Sequence, residues 1–153
     1  MDADRLVREM TNALQRELDL FEEMERLSRE QLAILSSENP DAEQIAHLIA
    51  QKQGIVKQLD ELDEESGEAK SEWERAAQKV PEEQRESVRK AAGRISEVLQ
   101  VLMELEKEIE TRLKDHATEI NRELTSILRA RGALKAYGHQ FGPEAARFLD
   151  RKR

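Results

Sequence analysis

From Glu82 to Tyr137 apolar residues recur every three or four positions, and only Gly93 and Gly132 interrupt a run that holds no proline. Val88, Ile95, Leu99, Leu102, Ile109 and Leu113 open the stripe, and Ala117, Ile120, Leu124, Ile127, Leu128 and Leu134 carry it on. This period predicts one long amphipathic helix, roughly 80 Å at ~1.5 Å per residue. Such a helix needs partners along its whole seam.

Two more helices precede it. The first starts near Asp2 with a stripe through Leu6, Met10, Leu14, Phe21, Met24 and Leu27, in which Glu17 and Gln31 are polar interruptions. It ends at the turn Ser36-Ser37-Glu38-Asn39-Pro40-Asp41, where Asn39 or Asp41 can cap the next helix. That second helix has the cleanest heptad of the chain, since Ile45, Leu48, Lys52, Ile55, Leu59 and Leu62 alternate three-four steps. Lys52 is the odd member. Its stem packs while the ammonium snorkels or meets a glutamate, or else it acts as a register device. Ser66-Gly67 and Val80-Pro81 are the remaining breaks. Between them a short connecting helix is expected, with Trp73 as a packing plug or a binding hot spot.

These elements predict an all-α, elongated antiparallel helical bundle or coiled coil with one very long C-terminal helix, residues 1–138, and a short helical tail, residues 139–153. A first helix of about 35 residues lies parallel to the last and covers it only to about residue 115. The stripe beyond is then uncovered, which marks it as an interaction surface for a second copy or for an amphipathic helix of another protein. The tail, with Phe141, Phe148 and Leu149, either folds back onto that stripe or docks elsewhere. Tyr137, just before Gly138, packs on Phe141 or Phe148, or serves an interface.

Composition bears on the partner. The chain has 153 residues, 38% of them charged and 3% aromatic, which suits a thin core. A net charge of -8 argues against nucleic acid and against an anionic membrane surface, so the partners are proteins. No stretch of about 18 apolar residues occurs to insert directly into a membrane. With no cysteine and an N-terminus lacking a basic patch before an apolar core, a cytoplasmic location is expected.

Catalytic chemistry has little to stand on. His47, His116 and His139 lie on different segments without a Glu-x-x-His pair, and no glycine-rich phosphate loop is present. Asp60, Glu61, Asp63, Glu64 and Glu65 read as solvated helix surface. The expectation is a non-enzyme with no catalytic residue, cofactor or metal.

The stretch Glu30-Gln31-Leu32-Ala33-Ile34-Leu35, the turn Asn39-Pro40-Asp41-Ala42-Glu43 and the segment Leu48 to Leu59, with Lys52 before its aliphatic part, resemble the FlgN family of flagellar export chaperones. Ile120-Asn121-Arg122-Glu123-Leu124-Thr125-Ser126-Ile127-Leu128 is similar to that family's asparagine-containing last helix, which ends in Ala136-Tyr137. Thr118 stands where a second asparagine is often found. The resemblance covers roughly residues 5 to 138. It implies a type III secretion chaperone that holds the C-terminal amphipathic segments of hook-filament junction (hook-associated) proteins and delivers them to the export gate. The partner-binding residues are then Ile120, Asn121, Leu124, Ile127, Leu128, Leu134 and Tyr137, with Tyr137 docking on the gate's cytoplasmic domain. The alternatives are a homodimeric coiled-coil scaffold and a filament-cap export chaperone of related type.

Overall fold

The computed structural model describes residues 2–130, and the backbone alone for residues 119–121. Among the described residues four helices follow one another: α1 (Ala3–Leu35), α2 (Ala42–Ala76), α3 (Glu82–Asp115) and α4 (Ala117–Ala130). Among the described residues there is no strand. A 3-10 turn, Ala77–Lys79, links α2 to α3.

The α1–α2 turn works through its acid cap. Asp41 accepts hydrogen bonds from the backbone N–H of Glu43 at 2.9 Å and of Gln44 at 3.3 Å, so Asp41 rather than Asn39 starts α2. Polar cross-links then fix the register. Arg5 reaches Glu72 at 3.1 Å and Arg16 reaches Glu65 at 2.9 Å, so α2 runs antiparallel to α1. Gln84 donates to Asp4 and Ser28 donates to Glu106, pairs 80 and 78 residues apart, so α3 runs parallel to α1 at almost constant offset. The central helix is α1, which packs against both α2 and α3.

The main hydrophobic cluster joins Leu6, Met10, Leu14, Leu18, Phe21, Met24 and Leu27 of α1 to Leu48, Ile55 and Leu59 of α2 and to Val88, Ile95, Leu99 and Leu102 of α3. Glu17, one of the polar interruptions in the α1 stripe, is buried and ion-paired with Lys70. Acid–base pairs three or four residues apart line the solvent faces, and the Arg26 guanidinium, hydrogen-bonded to Glu23, holds that carboxyl below the usual carboxylate range.

Two expected boundaries are corrected. Ser66-Gly67 does not end α2, which continues to Ala76 and carries Trp73 half-buried against the main cluster. Ser66 is itself buried, its hydroxyl bonded to the Leu62 carbonyl, and a glycine costs a helix only ~1 kcal/mol, which packing on α1 exceeds. The short connecting helix is thus the last part of α2. Nor is there one very long C-terminal helix. The run from Glu82 breaks at His116, whose φ of -107° and ψ of 18° end α3, and the chain restarts as α4.

The break has a physical cause. Both α1 and α3 end at one level, because the α1–α2 turn (Glu38, Asn39, Pro40) lies beside Lys114, Asp115 and His116. A straight continuation would leave Leu124 and Leu128 in water. Turning at His116 buries both, at 2% and 0% exposure, which contributes about 1.5–3 kcal/mol for each leucine. Interrupting the helix disturbs a few backbone hydrogen bonds of ~1 kcal/mol each, and the His116 N–H still donates to the Arg112 and Lys114 carbonyls.

Candidate functional site

The stripe expected to lie open is instead seated. Leu124 and Leu128 of α4 join Leu35 of α1, Ile45, Ala46 and Ile49 of α2, and Ile109 and Leu113 of α3 in a second hydrophobic cluster, with Leu32, Ile34 and Ile127 half-buried at its edge. Helix α4 rests mainly on α2 and partly on α3. The expectation that Leu124 and Leu128 form an uncovered surface is therefore overturned, while Ile127 retains partial exposure. The side chains of Ile120 and Asn121 are not described, and Leu134, Tyr137 and the 139–153 tail lie outside the described residues.

What the seat accepts is chemically plain. It is an apolar groove built from β-branched Ile45, Ile49 and Ile109 with Leu113, and it holds a helix bearing two leucines four residues apart. Spacing of four brings both side chains to one face, so the groove selects amphipathic helices in general. On the opposite face of α4, Arg122, Glu123, Ser126 and Arg129 are exposed.

A polar layer borders this groove. The Lys52 ammonium, with its side chain 9% exposed, donates to Glu106 Oε1 at 2.5 Å and to Gln31 Oε1 at 2.9 Å. Ser28 donates to the same Glu106 oxygen at 2.7 Å. The lysine thus meets a glutamate, as one sequence reading had it, but across helices and in the interior rather than at the surface. Gln31 is one of the polar interruptions of the α1 stripe, whereas Ser28 and Glu106 carry no local signal, since their distance along the chain becomes proximity only through the α1–α3 offset.

His116 is half-buried at the bend, in a hollow of about 460 Å³ shared with Glu38, Lys114, Asp115 and Glu123. Charges of both signs line it, which defines no single ligand chemistry. Among the described residues no group of three or more histidine, cysteine or acidic side chains is arranged to hold a metal ion, and no helix is long and apolar enough to cross a membrane.

The family model described as FlgN protein matches residues 1–142. The chain belongs to the FlgN family. Membership points to a chaperone of flagellar protein export that binds flagellar substrate proteins. No curated protein and no solved structure matches it significantly.

Proposed function

We propose that this FlgN-family protein is a cytoplasmic, non-enzymatic chaperone that binds the C-terminal amphipathic segment of hook-filament junction proteins and delivers them to the export gate. The observation that carries the reading is the seat of α4, an apolar groove already filled by an amphipathic helix. A fold that holds one such helix in cis has the geometry to handle another in trans. In this reading Ile120, Asn121, Leu124, Ile127, Leu128 and Leu134 form the partner-binding stripe, and Tyr137 docks on the gate's cytoplasmic domain.

Because Leu124 and Leu128 are buried, capture by that stripe exchanges contacts rather than simply adding them. Undocking α4 costs about 3–6 kcal/mol for the two leucines, and the partner helix must offset this with leucine-type residues of its own. The affinity is correspondingly moderate, which suits a carrier that must release its cargo. The deciding experiment is a calorimetric titration of the full chain with a synthetic C-terminal peptide of a junction protein. Saturable one-to-one binding is expected. Absence of binding, or equal binding by a peptide with its leucines changed to serine, rejects the reading.

A further inference from the structure

The two hydrophobic clusters are distinct. On α1 Leu27 belongs to the first and Leu35 to the second, and the layer of Ser28, Gln31, Lys52 and Glu106 lies at the level between them. On α2 Ile55 lies on the first cluster's side of Lys52, while Leu48, also of the first cluster, sits beyond it next to Ile49 of the second. Ile34, half-buried, is the hydrophobic residue that packs against both. Apolar burial spreads cooperativity through continuous contact, so a polar layer across the bundle weakens the link between what lies on either side.

The layer is also incompletely satisfied. Gln31 is fully buried, its Oε1 accepts from Lys52, and its Nε2 has no hydrogen-bond partner among the described residues. A buried donor left unpaired carries its desolvation penalty for as long as water is kept away. Opening the bundle at this level hydrates Gln31, Lys52 and Glu106 together, which lowers the cost of parting here relative to any apolar level. Over its described residues α4 is amphipathic, so undocking removes the packing of its apolar face from which most helical stability in a protein comes.

We propose that the layer of Ser28, Gln31, Lys52 and Glu106 divides the bundle into two separately opening units, and that the unit carrying α4 opens while the rest stays folded. The opened state exposes the groove of Ile45, Ile49, Ile109 and Leu113. This does not depend on the chaperone reading; it concerns the chain alone.

The cysteine-free sequence permits a direct test. Single cysteines are placed at Ala46, buried beneath α4 in the second cluster, and at Ala13, buried in α1 on the far side of the layer. Labelling by a thiol reagent is followed at increasing urea in the full chain. The expected result is protection at least 100-fold weaker for A46C than for A13C, with a shallower urea dependence at A46C. Equal protection and equal slopes overturn the proposal. Amide hydrogen exchange of the unmodified chain, comparing 45–49 with 14–21, supplies the same comparison should either variant fold poorly. The role of the layer is tested by Q31L alone and by Q31L with K52M and E106L. Removing the polar groups should reduce the difference in protection at least tenfold, and an undiminished difference in both variants refutes the boundary. No partner is present, so failure here is distinct from failure of the peptide titration.

Discussion

Lys52 on α2 and Glu106 on α3 form an ion pair at 2.5 Å between side chains only 9% and 14% exposed. They are 54 residues apart in sequence and are brought together by α1, whose Gln31 and Ser28 bond to the lysine and the glutamate respectively. A charge at a heptad seam position is costly to bury alone and tolerable when paired. Its presence identifies α2 and α3 as the correct neighbours at this level.

Removing one member should therefore be worse than removing both. Lys52→Met leaves Glu106 with Ser28 as its remaining donor, and we expect a loss of about 3 kcal/mol, at the low end for a broken buried pair because Glu106 keeps some solvent. Adding Glu106→Leu to that variant should recover most of the loss. Urea denaturation of the single and double variants measures the coupling, and additive losses would show that the pair is not a unit.

Helix α2 is capped by a single side chain. Asp41→Ala removes both its hydrogen bonds to Glu43 and Gln44 and should lower stability by about 1 kcal/mol, whereas Asn39→Ala should have almost no effect. Thermal melts of the two variants distinguish them, and an equal drop for Asn39→Ala would contradict the cap assignment.

Most of the architecture was legible because heptad spacing directly encodes burial. Each of Ile45, Leu48, Lys52, Ile55, Leu59 and Leu62 is buried, the lysine included. The two boundaries that differ have one origin, that a glycine or a helix length acquires its meaning only from the neighbouring helices. Gly67 read as a stop, yet α1 supplies a packing surface along that stretch of α2. His116 read as mid-helix because neither glycine nor proline marks it. The only trace of the bend was the point near residue 115 where α1 runs out of length, and that point alone could not say whether the stripe beyond projects or folds over. The polar layer depends on a three-helix offset and had no local signature apart from Lys52 and Gln31.

Helix-interior glycines offer a stability gain. Gly54, Gly67 and Gly93 all lie within helices, and among the described residues a Cβ added at any of them would meet nothing within 4 Å beyond its own stretch of helix. Alanine there restricts the unfolded chain without creating a clash, for ~0.5–1 kcal/mol each. The three sites lie well apart, so Gly54→Ala, Gly67→Ala and Gly93→Ala should combine nearly additively and raise the melting temperature by roughly 2–4 °C per kcal/mol. A lower melting temperature for Gly67→Ala would mean that α2 needs a bend at that position.

Leu128 and Phe21 are both fully buried, but in different clusters. Phe21→Ala should cost about 3–5 kcal/mol and lower the global denaturation midpoint in proportion. Leu128→Ala should act mainly on the seating of α4, seen as faster amide exchange in 117–130 with a smaller midpoint change. Equal midpoint shifts would join the two clusters into one cooperative unit.

Ile127 separates packing from partner binding better than its buried neighbours do. It sits half-buried at the edge of the second cluster, so Ile127→Ser loses only part of an isoleucine's burial and should destabilise the fold by less than about 1.5 kcal/mol. Leu124→Asp is less informative, since a carboxylate at a residue 2% exposed would dislodge α4 whatever its role in binding. If the α4 stripe meets a substrate helix, Ile127 becomes fully buried in the complex and its loss costs about 1.4 kcal/mol or more there, a tenfold rise in Kd. The expected outcome is a near-normal melt with at least tenfold weaker binding of the junction-protein peptide. A marked fall in melting temperature with unchanged peptide affinity would make Ile127 a packing residue and move the partner surface elsewhere on the bundle.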